Sequence, residues 1–480
     1  MPSSTFSVRV GGIAFALIFT AYNTSQNYMT TLLGPRLGSM TLVLVYSGLI
    51  IATPIAPAAA PNFGIPVTLA TGGLTYAALM LALLLQSTSL LPDALATTLV
   101  LLASLINGFG GALLWSAQGS LVILESSGGD GGRQSGDFWA LFQVSAIVGN
   151  LWAFFSFSAG AQPTALFAVF FGIALLGCAC FVCVRPSPLA LVEAAIADTS
   201  AVELSVVNPD AVVEDAATPS VRTAAAPPPP STPPPTQQQQ QQQNSKPRGG
   251  GGGERRRGRC SWALSEAIEM WSTIWSARAL MPLLLLGGFL MAYQFGVFPL
   301  VMRRADVGLC FVIFGIAEVL GAWLCGRWVG TLGASRYRLL TMIVTTLSLI
   351  LALPIALTAP HPQSTNQTAP SSDDPSSQEE QLRSLERPLT MLLPSLAAAF
   401  FGLSDSAIAI LAYTDLGQRA RGAASSARAG ATRQLLYSLG FLLGFGIGPY
   451  VPAVAQLALL AGLLLAAWIV RARERSRSSS

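Results

Sequence analysis

Apolar stretches of about twenty residues, separated by short polar or Pro/Gly-rich joints, recur along almost the whole chain. A helix needs ~20 apolar residues to cross ~30 Å of hydrocarbon. Twelve segments meet that requirement, near 9–30, 38–60, 66–87, 94–119, 137–159, 163–184, 279–301, 307–326, 338–359, 388–414, 432–451 and 453–470. They lack the alternation of strands, and lipid cannot satisfy exposed backbone N–H and C=O groups, so each predicts a helix.

The pattern breaks once, in the middle. Residues 185–261 hold Pro227–Pro230, Pro233–Pro235, seven consecutive Gln and five consecutive Gly. Such a composition buries too little apolar surface to offset chain entropy, which predicts a disordered linker. Periodicity returns at 262–277, where Leu264, Ile268, Trp271 and Trp275 share one helical face. That stripe predicts a short interfacial helix leading into the seventh span. The chain therefore divides into a six-span half at 1–184, the linker, the surface helix, a second six-span half at 278–470 and a basic tail at 471–480.

Composition adds that only 10% of the residues are charged, against ~25% in soluble domains. The net charge of +4 says less than its distribution. With the N-terminus inside, the inner segments hold 22 of the 27 Lys and Arg, and the outer ones keep Arg36, Arg303, Arg304, Arg383 and Arg387. Positive residues are retained on the cytoplasmic side, so both termini are expected there. The basic clusters read as topology signals and anionic-lipid contacts, not as a nucleic-acid surface. Five of the six cysteines lie in apolar spans, including Cys180 and Cys183, and read as packing residues without a second pair to bind metal. The outer loop at 360–387 carries the glycosylation sequon Asn366-Gln367-Thr368.

Six spans, a long loop and six more spans resemble the organisation of the major facilitator superfamily, whose halves are parallel repeats. Ala21-Tyr22-Asn23 echoes Ala292-Tyr293-Gln294, and Gly48 echoes Gly315. More specific motifs surround the joint between the fourth and fifth spans. They are Trp115-Ser116-Ala117-Gln118-Gly119, Arg133-Gln134-Ser135-Gly136, Phe138-Trp139-Ala140-Leu141-Phe142-Gln143 and Gly149-Asn150. Further matches are F-T-A-Y-N-T at 19–24, A-P-N-F-G at 60–64, G-I-A-E-V-L-G at 315–321 and F-G-L-S-D-S at 401–406. Together they closely resemble the Unc-93-like branch of that superfamily, with Gln134 where the family pattern has Asn. The resemblance implies an all-α membrane protein of twelve transmembrane helices in two six-helix lobes. It also implies a role either as a transporter or as a regulator of another membrane protein, since the family includes channel regulators and trafficking partners.

Polar residues inside lipid need a partner or a wet cavity, because a charge at mid-helix costs about 2.5–3.5 kcal/mol on insertion scales. Thr20, Asn23 and Asn27 form a stripe on the first span, with Gln26 beside them. It either lines a central cavity or hydrogen-bonds a neighbouring helix; Asn107, Asn150 and Gln294 are cavity candidates of the same kind. Trp115, Gln118, Gly119, Arg133, Ser135, Gly136, Phe138, Trp139 and Gln143 gather at the inner ends of the fourth and fifth spans, as a packed elbow or an inner gate. Glu318 and Asp405 are the acids well inside the spans. Each is a candidate for proton coupling, or else a carboxyl that bridges helices, with Arg433 or Tyr437 as partner. Gly440, Gly444 and Gly448, four apart, suit close helix packing.

The loop between the second and third spans, Pro61 to Pro66, carries no charge, and its counterpart from Gly326 to Arg338 has Arg327, Arg336 and Arg338 without an acid. The charge latch common in major facilitators is therefore missing. The sole histidine, His361, and the lack of phosphate, metal or nucleophile motifs argue against an enzyme and call for no cofactor. Two readings remain. One is a small-solute transporter working by alternating access, with proton coupling through the acids. The other is a non-transporting partner of an ion channel or membrane receptor. Besides the lipid bilayer, the expected partner is thus either a small solute or such a channel or receptor.

Overall fold

A computed structural model describes residues 4–125, 131–185, 268–302, 304–359, 377–419 and 423–479. Among these residues every regular element is helical. The linker, Asn366, and the side chains of Arg133, Ser135, Gly136 and Trp139 lie outside the described part.

The first half contains α1 (Ser4–Leu32), α2 (Pro35–Ala52), α3 (Ile65–Thr88), α4 (Asp93–Glu125), α5 (Gly131–Ser158) and α6 (Pro163–Phe181). The second begins with α7 (Met281–Val297). A continuous helix, Arg304–Thr358, follows and is broken at Gly333 (φ 72°, ψ 156°). The break separates two spans, α8 (Asp306–Cys325) and α9 (Ser335–Thr358). Then come α10 (Ser377–Arg419), α11 (Ala423–Ile447) and α12 (Ala453–Ser479). Among the described residues, eleven helices are long and apolar enough to span a bilayer. The twelfth expected span is α11, whose first half sets Arg428 and Arg433 among Ala, Gly and Ser.

Local chemistry explains the helix ends. Gly34 and Gly64 hold φ of 82° and 85°, a backbone that side chains resist, and each precedes a helix with Pro in its first turn. The second span was expected to reach residue 60 but α2 ends at Ala52. Pro54 and Pro57 remove N–H donors there, and a turn, a 3-10 segment (Ala56–Ala58) and a short helix (Ala59–Phe63) take over. The eleventh span likewise starts earlier than 432 and stops at Ile447, just before Gly448-Pro449.

The two halves pack by the same plan. α1 lies on α5 and α6, α2 on α4, and α3 on α4 and α6; correspondingly α7 lies on α11, α8 on α10 and α9 on α12. The halves join where α5 meets α8 and α2 meets α11. Twelve crossings bring both chain ends to one face, the terminal face. On the far face the lobes touch: Thr31 Oγ1 donates to the Pro299 carbonyl (3.4 Å), and Gly308 packs on the Asn150 carbonyl and the Tyr28 hydroxyl. Nearer mid-depth, Tyr46 stacks on Phe441 with ring centres 4.2 Å apart and planes 4° from parallel.

Ahead of α7, residues 268–276 are helical. Ile268, Trp271 and Trp275 are exposed on it while Met270 and Ile274 are buried. Glu269 pairs with Arg428 of α11 at 2.6 Å, which fastens this surface helix to the second lobe.

Candidate functional site

The most concentrated chemistry lies where four helices meet inside the membrane. Small residues make the meeting possible. A Cβ at Gly402 on α10 would sit 2.5 Å from the Phe314 carbonyl and 3.1 Å from the Glu318 nitrogen, so α10 lies directly on α8. Ser406 Oγ donates to the Glu318 carbonyl at 2.7 Å, one turn further along. Gly315 on α8 packs against Ala146 and Ile147 of α5, which brings the other lobe within reach.

These approaches place Glu318 beside Asp405, with Gln143 of α5 reaching Glu318. Arg433 of α11 acts electrostatically on Asp405, and its guanidinium lies 5.2 Å from the centre of the Tyr437 ring. Glu318 is 6% exposed and Arg433 7% exposed. The cluster thus joins one side chain of the first lobe to four of the second. Asp405 is partly buried. A carboxyl pair beside one guanidinium can hold or release a proton while keeping its partners, whereas an isolated charge there would be costly.

Gln143 has a neighbour that sequence reading did not assign to it. It was grouped with Gln118 and Trp139 at the terminal-face elbow, but it turns toward Glu318 across the lobe interface. The elbow itself is aromatic. Trp115 packs edge-on against Phe15, Phe19 and Phe142, and Phe138 adds to the same group. Gln118 is buried beside it. Phe15 and Phe19, four apart on α1, were the available signal for this cluster.

The polar stripe of α1 is spent largely on neighbouring helices. Asn27 Nδ2 donates to Asn150 Oδ1 (3.0 Å), and Asn150 Nδ2 donates to the Ala146 carbonyl (2.7 Å). Asn23 Nδ2 reaches Ser145 Oγ at 3.5 Å, and Tyr46 donates to Gln26 Oε1 at 3.2 Å. Thr20 bonds back to the Ala16 carbonyl. On α4, Asn107 Oδ1 accepts from Thr75 at 3.4 Å while its Nδ2 has no partner. Gln294 differs from all of these. It is fully buried, and neither amide atom has a hydrogen-bond partner.

Comparison with known proteins fits this geometry. Residues 30–206 match a family model described as "Ion channel regulatory protein UNC-93". The chain is 31% identical over 150 residues to the UNC93-like protein MFSD11 of Xenopus tropicalis, covering 30% of this chain and 32% of that one. It is 29% identical over 158 residues to the UNC93-like protein 3 of Arabidopsis thaliana, covering 31% and 32%. The matched stretch therefore spans about a third of these curated relatives. Among solved structures, a D-xylose-proton symporter superposes with a TM-score of 0.59 at 11% identity over 97% of this chain and 96% of the other. A partially occluded, inward-open xylose transporter from E. coli gives 0.58 at 12% identity, over 97% of each. The structural matches establish the major facilitator fold across the chain, and the sequence matches support the Unc-93-like branch.

Proposed function

We propose that this Unc-93-like protein moves a small solute across its membrane by alternating access, coupled to protons through Glu318 and Asp405. The observation that carries the reading is the acid pair's position. It sits at the α5–α8 contact, where Gln143 links it to the opposite lobe. A change in its proton occupancy alters a hydrogen bond between the two bodies that must rock. The far-face contact of Thr31 with Pro299 and the mid-depth stack of Tyr46 on Phe441 are those that part in the other half of the cycle. Asn23, Asn107 and Gln294 are the polar groups assigned to the solute path, and the elbow around Trp115 and Gln118 acts as the terminal-face gate. Both termini are assigned to the cytoplasm, and Asn366 to a glycosylated outer loop.

The test is solute uptake into proteoliposomes under an imposed pH gradient. Glu318→Gln and Asp405→Asn are expected to uncouple uptake from the gradient; full pH-dependent uptake in both would refute coupling. One finding favours a second reading, the match to a model of channel regulators. Under that reading the chain binds an ion channel or membrane receptor. Stoichiometric co-purification of such a partner in mild detergent, with no uptake of any solute, would replace the transport reading.

A further inference from the structure

We propose that the terminal-face end of α8 binds an anionic phospholipid, with Arg327, seated on Trp323, receiving the headgroup phosphate. The site belongs to the lipid-facing surface and stands apart from the solute path and from transport.

It is built along one side of α8. Ile316, Leu320, Trp323 and Arg327 stand at i, i+4, i+7 and i+11, within an arc of about 60° of the helix. All four are exposed. Protein covers the other sides: Ala317 and Gly321 meet Gly402 and Ser406 of α10, and Gly315 meets Ala146 and Ile147 of α5. The uncovered side of a helix that crosses the bilayer faces acyl chains, and the run from Ile316 to Trp323 is apolar as that requires. Trp323 lies two residues before the end of the span at Cys325, the depth at which Trp collects in membrane proteins.

Two further observations make this stripe a lipid site. The Arg327 guanidinium lies 4.2 Å from the centre of the Trp323 ring, nearer than Arg278, Arg433 and Arg471 lie to theirs. A guanidinium seated on an aromatic face keeps its N–H edge available to phosphate oxygens. Second, neither Arg327 nor Arg336 has an acidic partner among the described residues, whereas Arg338 lies 3.6 Å from Asp415. No Asp or Glu stands between Arg327 and Arg336 in the chain. The helix runs on past Cys325 to Gly333, and α9 begins at Ser335, so both arginines lie at the same membrane boundary. A soluble anion would answer this charge and leave the apolar stripe unused. A zwitterionic lipid would cover the stripe but brings a cation beside its phosphate. An anionic phospholipid meets both demands, with its acyl chain along Leu320 and Ile316.

The experiment is native mass spectrometry of the purified full-length protein, titrated with phosphatidylglycerol or phosphatidylcholine of equal acyl length, with glycerol 3-phosphate as a soluble competitor. Phosphatidylglycerol is expected to bind about tenfold more tightly than phosphatidylcholine, and Arg327→Gln to lose about fivefold of that affinity. Trp323→Leu, which keeps apolar cover but removes the ring, should lose roughly twofold to fivefold. Arg327→Lys keeps the charge without the planar fork and should fall between wild type and Arg327→Gln, which leaves the site testable if Arg327→Gln does not fold. Arg278→Gln removes another exposed guanidinium, 5.7 Å from its ring, and should leave the affinity unchanged. Equal binding of the two lipids, or full affinity in Arg327→Gln, overturns the proposal. Displacement by glycerol 3-phosphate assigns the charge to a soluble anion and overturns the lipid. An equal loss in Arg278→Gln, or none in Trp323→Leu, reduces the effect to diffuse charge attraction and overturns the site.

Discussion

The contact between α1 and α5 and its repeat-related counterpart between α7 and α11 hold the same place in the two lobes and are built differently. In the first lobe a glycine also lets the backbones touch, Gly149 on the Thr20 carbonyl, but side-chain amides are added to it, through Asn27 to Asn150 and Asn23 to Ser145. In the second, glycines let the backbones touch: Gly288 lies on the Tyr437 carbonyl, Gly440 on the Leu285 carbonyl and Gly444 on Ala292. Hydrogen bonds fix one register. Smooth backbone contact depends on close packing but discriminates little between neighbouring registers. The α1–α5 contact therefore carries register-fixing amides on top of its glycine contact, whereas the α7–α11 contact is marked by its glycines. The amide of Gln294 on α7 has no partner, whereas Asn23, its sequence echo on α1, has Ser145 of its own lobe.

Substitutions can break this comparison, and the largest effect is expected at the glycine contact. Gly288→Leu forces a side chain into the α11 backbone. Overpacking costs about 1–3 kcal/mol and occasionally more, and here the upper end is expected. Size-exclusion chromatography should show loss of the monodisperse species; an unchanged profile would mean the helices separate readily. Next is Gln294→Leu, which removes a buried amide without partners. Relief of ~1–3 kcal/mol of desolvation is expected, as a raised melting temperature. Uptake should fall in the same variant, which separates a solute-facing amide from a packing defect.

A smaller effect is expected on the polar side. The Asn27→Leu, Asn150→Leu double-mutant cycle should give a coupling of ~0.6 kcal/mol, the average for such bonds in membranes. A coupling near zero would remove the claim that these amides hold the register. Ser145→Ala should matter least, at a few tenths of a kcal/mol, because its bond to Asn23 is long.

Periodicity and length revealed the helices, because lipid leaves a chain with few alternatives. The ends were less legible: Pro54 and Pro57 stopped α2 early although the apolar run continues past them. The acids stood out as charges in hydrocarbon, and their pairing with Arg433 was one of the open alternatives. Gln143 was not legible as their neighbour. Its position along α5 says how far it lies from the elbow, but only the Gly315 contact with Ala146 and Ile147 says which lobe it faces. Contacts between lobes come from small residues on two distant segments, and a sequence read one helix at a time does not align them. For the same reason Gly48 and Gly315 look equivalent in sequence but serve different contacts. Gly48 packs on α4 within its lobe, and Gly315 packs across the interface.

Under the proposed transport cycle, the break at Gly333 makes bilayer thickness an input. α9 presents Ile343, Leu347, Ile350 and Leu357 to its surroundings, so its tilt follows the hydrocarbon around it. One non-helical residue separates its helix from that of α8, which carries Glu318. A joint this short transmits tilt instead of absorbing it. Lipids of longer or shorter acyl chain should then shift the pH dependence of uptake, and Gly333 extended by a flexible insert should erase that sensitivity.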